Sequence, residues 1–339
     1  MRHDRCLRSR RSLVVALAFI GATGLSSKTR AAQGGPELDA ELGAAGMPYD
    51  AFDRMPGETF EMGGSRIRVV FGPGAFDLAP GRITEHVRRS ARTVAAYFGR
   101  FPAATARVLV LGTSSPGRPV RSGTAFGDRG AAIKLTLANS VRAIDLERDW
   151  ILVHEMCHLA LPSLPRRHHW LEEGMASYVE PMARAQAGLL SPERVWGDMV
   201  KGLPQGLPQS GDRGLDRTWT WGRTYWGGAL FCLLADVESR AATAGERGLQ
   251  HALRAILQHG NIETDSPIEP LLEIGDRAIG AAVLTSLYAR MKDAPYPVDL
   301  DELWHSLGVR AGTLGVQFDD AASQAATRLA LTRPIAGRG

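Results

Sequence analysis

The chain predicts an α+β fold: a small mixed β-sheet layer toward the N-terminus, then a mostly helical C-terminal half. Three observations carry this. Between residues 65 and 138, short Val/Ile/Leu-rich runs are bounded by Gly-containing turns. From Ile144 onward, apolar residues recur at intervals of three and four. With 339 residues and 44% hydrophobic content, the chain can bury a substantial core.

In chain order, residues 1 to 31 read as an export signal. An arginine-rich start precedes an apolar run from Leu13 to Leu25, too short to span a bilayer comfortably, and Thr29-Arg30-Ala31 offers a small-residue cleavage site. Ser9-Arg10-Arg11-Ser12-Leu13 resembles a twin-arginine signal. The expected location is outside a bacterial cytoplasm, periplasmic or extracellular, or membrane-attached if the signal stays as an anchor. No stable span is expected once the signal is gone.

Removing the signal takes the formal charge from +4 to about −2, so the basic balance belongs to the signal and gives no support for nucleic-acid binding. Residues 32 to 64, Gly/Pro-punctuated in their first part, read as a linker or a surface-packed segment. The main domain is expected over 65 to 330, β-rich to 140 and helical from 141, with a flexible tail at 331 to 339.

Within that domain, Ser65 to Gly72 and Ala106 to Gly112 read as strands, and Arg82 to Phe101 as an amphipathic helix. Gly123 to Ala138 reads as one or two strands around a Gly-containing turn. Helices are expected at Ile144 to Leu161, Trp170 to Ala187, Thr218 to Arg240, Gly248 to His259, Ala278 to Lys292 and Leu300 to Leu307, with Pro162 and Pro165 ending the first. Cys157 and Cys232 are too few for a disulfide scaffold and read as small buried residues, with one bridge between them as the alternative.

The chemistry concentrates in "HEMCHLALPSLPRRHHWLEEG", residues 154 to 174. On a helix, His154 and His158 lie four apart on one face, about 6 Å along the axis, and can aim ring nitrogens at one Zn2+ ion. Glu155 projects beside the open coordination position, placed to take a proton from a water as it attacks a carbonyl. The flanks "RDWILV" and "LAL" are apolar, which places the motif on a buried helix where such groups need a strong partner. A third ligand after the metzincin pattern is excluded, because the required glycine and histidine are Leu161 and Leu164. His168, His169, Glu172 and Glu173 remain. Adjacent helical residues point about 100° apart, so at most one of the two glutamates faces the metal, and periodicity does not choose between them.

"HEMCH" followed by "WLEEGMASYVE" resembles the gluzincin zinc metallopeptidases, distantly those of the aminopeptidase N type within the peptidase MA-like group. That resemblance implies a thermolysin-like catalytic domain, one catalytic Zn2+ and a peptide or protein substrate. By the same mapping Glu173, immediately before Gly174, is the third zinc ligand, and His168, His169 and Glu172 are bystanders. The connector from His158 to Glu173 is shorter than in the aminopeptidases. In "WTWGRTYWGGALFCLLADVE", Tyr225 and Gly228 match the family's Y-x-x-G segment, which implies that the Tyr225 hydroxyl stabilises the transition state. An aromatic wedge of Trp219, Trp221, Tyr225 and Trp226 is the structural alternative. Arg223 is a weaker candidate for holding a substrate carboxylate.

The strand that anchors a free amino terminus in the family has no clear counterpart, although "GTAFGDRGAAIKL" occupies its region and offers an edge for β-pairing. The expected function is an exported zinc metallopeptidase. Its rivals are a non-catalytic zinc-containing binding module on the same fold and a hydrolase of non-peptide amides. Retention of Glu155 beside a full ligand set argues against the module.

Overall fold

The computed structural model describes residues 46–72, 74–313 and 315–335. The expected signal lies outside them, as do residues 336–339. Among the described residues no helix is long and apolar enough to cross a membrane. The chain divides into two compact units, Met1–Ser90 with Ala103–Glu155 and Ala91–Pro102 with Met156–Gly339.

The first unit holds a five-stranded sheet in the order β1-β2-β3-β5-β4. Its strands are β1 Gly57–Met62, β2 Ser65–Phe71, β3 Thr105–Thr113, β4 Val120–Phe126 and β5 Ala132–Ala138. The β1/β2 and β4/β5 pairs are antiparallel, whereas β2/β3 and β3/β5 are parallel. Val108, Leu109 and Val110 are each at most 1% exposed. Both faces of β3 are therefore covered, which is why its sequence is a continuous apolar run.

Strand β1 adds residues 57 to 62 to the sheet, within the stretch read as a linker or a surface-packed segment. It is an edge strand whose inward side carries little beyond Phe60, so its alternation is faint, and Gly63 and Gly64 at positive φ close the hairpin to β2. Ahead of it, Phe52 and Met55 pack with Val70 and Leu109.

Helix α1, Pro80–Phe98, starts with proline, where the missing N–H has no intrahelical use. The single helix expected over 144 to 161 is two pieces, the short turn α2 Ala143–Glu147 and α3 Ile151–His158. Asp149 makes the break. Its carboxylate accepts the N–H groups of Ile151 at 2.9 Å and Leu152 at 3.2 Å, the bonds of an N-cap, and lies 3.0 Å from Nε2 of His86.

The second unit is helical. It contains α4 His169–Gln186, α5 Pro192–Gly202, α6 Gly228–Ala242, α7 Leu249–His259, α8 Ile268–Ile279, α9 Leu284–Met291, α10 Leu300–Leu307 and α11 Ala325–Thr332. A small hairpin, β6 Val309–Gly312 and β7 Gly315–Phe318, follows α10. The helix expected at 278 to 292 is divided at Gly280 (φ 89°), which ends α8, and Asp276 then accepts N–H bonds from Leu284 and Thr285 at the start of α9. The expected tail is also shorter. Leu331 and Thr332 are buried in α11, and Gln186 bonds to the backbone of both Leu331 and Ile335.

Helices α4 and α6 meet backbone to backbone. A Cβ on Gly174 would lie 2.2 Å from the Gly228 carbonyl carbon, and one on Gly228 would lie 2.0 Å from the Trp170 oxygen. Farther along, the Tyr178 hydroxyl donates to Asp236 at 3.0 Å, and Nε of Arg240 reaches the same carboxyl at 3.0 Å. Just before α6, Arg223–Gly227 forms one π-helical turn within the helix expected from 218 to 240.

A methyl group at position 174 must push these helices apart. Gly174→Ala is expected to lower stability by about 2 kcal/mol or more, read as a fall in the urea midpoint at unchanged slope.

Candidate metal centre

Cap and turn together aim the short helix α3. With Asp149 fixing its first turn, His154, Glu155 and His158 fall on its last two turns, and all three are buried, at 1%, 0% and 7% exposure. The Trp150 ring packs edge-on against His154, centroids 5.6 Å apart and planes at 89°, holding one side of that imidazole. On β4, Gly123 abuts Glu155: a Cβ there would sit 2.4 Å from Cγ of Glu155 and 2.9 Å from Cγ2 of Ile151. Only a strand without a side chain at this point leaves the carboxylate stem its place.

Glu173, also fully buried, comes from the first turns of α4. Its Oε2 lies 3.6 Å from Nε2 of His158. The structure brings His154, His158 and Glu173 together with one ligand atom each, all within 4.8 Å of one another. Two imidazole nitrogens and a carboxylate oxygen, converging in a dry setting, are the donor set Zn2+ takes when three protein ligands leave a position open. The residues fit the ion.

Two residues read as bystanders support this arrangement. His169, the first residue of α4, holds Nδ1 3.0 Å from Oε2 of Glu172 and Nε2 3.4 Å from Oε1 of Glu173. The other Glu172 oxygen accepts the Leu164 N–H at 2.9 Å. Glu172 thus ties the preceding loop to His169, and His169 leans on Glu173.

His168, the other histidine read as a bystander, ends the short 3-10 turn Arg166–His168. It is fully buried, 3.1 Å from the Tyr288 hydroxyl and 3.3 Å from Asp216, which also accepts Trp170 Nε1–H and the Tyr288 hydroxyl, each at 2.8 Å. Burial alone would raise the Asp216 carboxyl, but bonds from His168, Trp170 and Tyr288 bring it below its ordinary value. Burial, and then the bond to Asp216, pushes the Tyr288 hydroxyl up. This network pins the entry to α4.

Tyr225 sits half-buried in the π-helical turn, stacked on Trp221 at 5.5 Å and 27°. It precedes by three residues the glycine that touches α4. Arg223 is turned inward. It is 2% exposed, its Nε lies 2.7 Å from Asp212, and it donates to the Gly206 carbonyl. Burial lowers its pKa against the pull of Asp212. Its charge is committed to anchoring the π-helical turn, and the sequence reading of a substrate clamp does not match this placement. Cys157 and Cys232 are both buried and are not joined by a disulfide, so the bridge offered as the alternative does not form.

No protein-family model matches the chain, and no characterised protein matches it by sequence. Solved structures do. An aminopeptidase N family protein from Idiomarina loihiensis superposes with a TM-score of 0.54 at 15% identity, over 75% of this chain and 49% of that one. An M1 zinc metallopeptidase from Deinococcus radiodurans, solved in a variant form with a Tyr-Ser-Ala substrate, gives 0.46 at 17% identity over 72% and 53%. The first of these shows that the fold is shared, as the gluzincin resemblance implied. The chain spans about half the length of these proteins.

If His169 holds Glu173 in place, His169→Ala should weaken Zn2+ binding by about 10- to 100-fold in a chelator competition while leaving the helical circular dichroism intact.

Proposed function

We propose that this chain, built on the fold it shares with an aminopeptidase N family protein, is a zinc-dependent metallopeptidase. His154, His158 and Glu173 hold the metal, Glu155 is the general base and Tyr225 donates to the oxyanion. The observation that carries the reading is the convergence of two buried imidazoles and a buried carboxylate within 4.8 Å, with Glu155 next in sequence to one of those imidazoles.

Bound there, Zn2+ would lower the pKa of a water to about 7 and polarise the scissile carbonyl. Glu155 takes the proton of the attacking water and passes it to the departing amine. Burial of Glu155 excludes bulk water from that transfer. The Tyr225 hydroxyl donates to the oxygen on which charge develops. Strand β4 is the last strand of its sheet, and at Gly123 it lies directly against Glu155. Its outer edge offers main-chain N–H and C=O groups to an extended peptide beside the base. The arginine-rich start and apolar run of residues 1 to 31 support action outside the cytoplasm.

Glu155→Gln keeps the shape of the side chain and removes its basicity. The variant is expected to bind zinc stoichiometrically, by elemental analysis, and to lose about 10²- to 10⁴-fold in peptide cleavage. Full activity in Glu155→Gln would sink the mechanism. A wild-type chain that holds zinc and cleaves no peptide would instead favour a non-catalytic module.

A further inference from the structure

Near the N-terminal end of α3, a cavity of about 190 Å³ opens between the start of β4 and the helix. It is smaller than the roughly 300–1,000 Å³ of sites that enclose a whole small molecule, and suits a single side chain or chain end. Val120, Trp150 and Ile151 supply its apolar wall, and Arg118 and Arg148 line its exposed rim.

The charges of this cavity are unevenly committed. Two carboxylates line it as well, but both are engaged. Asp145 takes a two-pronged bond from Arg142, Nε and Nη2 each at 3.0 Å, and Asp149 is spent on His86 and the first N–H groups of α3. The two arginines are bound less closely: Arg148 acts on Asp145 through space, after the Arg142 bond in its effect on that carboxyl. Among the described residues neither the Arg118 nor the Arg148 guanidinium makes a hydrogen bond or an ion pair. The cavity therefore offers two forks of N–H donors and no acceptor that is not already in use.

Its distance from the base is also set. Ile151 to Glu155 is one turn of α3, about 6 Å. Val120 to Gly123, the glycine against Glu155, is about 10 Å along β4. An extended peptide advances about 3.3 Å per residue. A substrate lying along β4 would reach the cavity two or three residues from the bond beside Glu155.

We propose that Arg118 and Arg148 form a subsite for a substrate carboxylate located two or three residues from the scissile bond, which makes the chain selective for peptides with an acidic side chain or a free chain terminus at that position. The inference rests on the peptidase reading above. Arg118 and Arg148 are specificity-determining residues. They bind one end of the substrate and take no part in proton transfer.

The test uses the zinc-loaded chain and paired peptide libraries, Asp/Glu against Asn/Gln at each position and free-acid against amidated C-termini, with cut sites read by mass spectrometry. The expected result is a preference on the order of tenfold in kcat/KM for a carboxylate at one fixed spacing from the cut. The side-chain and terminal arms show which source supplies it, and either supports the subsite. In Arg118→Gln/Arg148→Gln the ratio of acidic to neutral kcat/KM should fall toward one, and in Arg118→Glu/Arg148→Glu it should invert in favour of Lys and Arg. Cleavage with no carboxylate preference, or a preference that survives both double variants, would overturn the subsite while sparing the peptidase reading. Absence of any cleavage would remove both.

Discussion

The close approach of α4 and α6 is the constraint on which the helical unit depends. Two glycines let main chain rest on main chain, so the spacing of these helices is set by backbone atoms, and the flexible reach of side chains has no part in it. Everything nearby follows from that spacing. Glu173 immediately precedes one of the glycines, and the π-helical turn bearing Tyr225 runs directly into the other. Tyr178, Asp236 and Arg240 then tie the same helices farther along. Burial raises the Asp236 carboxyl and Arg240 opposes it, so this tie is held by shared donors as much as by charge.

The three residues that converge in the candidate metal centre are supported in layers. Behind Glu173 stands His169, behind His169 stands Glu172, and behind Glu172 stands a backbone N–H of the preceding loop. On the other helix, Asp149 fixes the first turn and Trp150 packs against His154. A site whose ligands rest on rigid helix ends changes little when a metal enters, and pre-ordered ligands cost less entropy on binding.

Much of this was legible in the sequence wherever chemistry is local. The HEMCH spacing places two histidines on one face of any helix, and Gly174 beside a glutamate signals close helix packing. The choice of Glu173 over Glu172 was not legible from periodicity and came from resemblance. The fold explains it: Glu172 caps the loop while Glu173 faces inward. Long-range pairings left no local trace. Asp216 gathers His168, Trp170 and Tyr288 from distant positions, and nothing around residue 216 announces that. Strand β1 escaped notice because an edge strand with a single well-buried side chain has almost no alternation. Helix α8 was hidden by Pro267 and Pro270, which are tolerated because they fall at the cap and in the first turn. Arg223, read from the sequence as a weaker candidate for holding a substrate carboxylate, is among the most deeply buried groups, because Asp212 neutralises it where the chain turns into α6.

The contact of Gly123 with Glu155 acts as a fixed gauge. The interval between strand β4 and the Glu155 stem is left by bare main chain at Gly123 facing one methylene, with no side chain of the strand between them. Any chain segment aligned on that strand would be measured from the backbone, with its own side chains outside the measurement. Such a gauge selects where along a segment the carboxylate falls and is indifferent to what the segment spells.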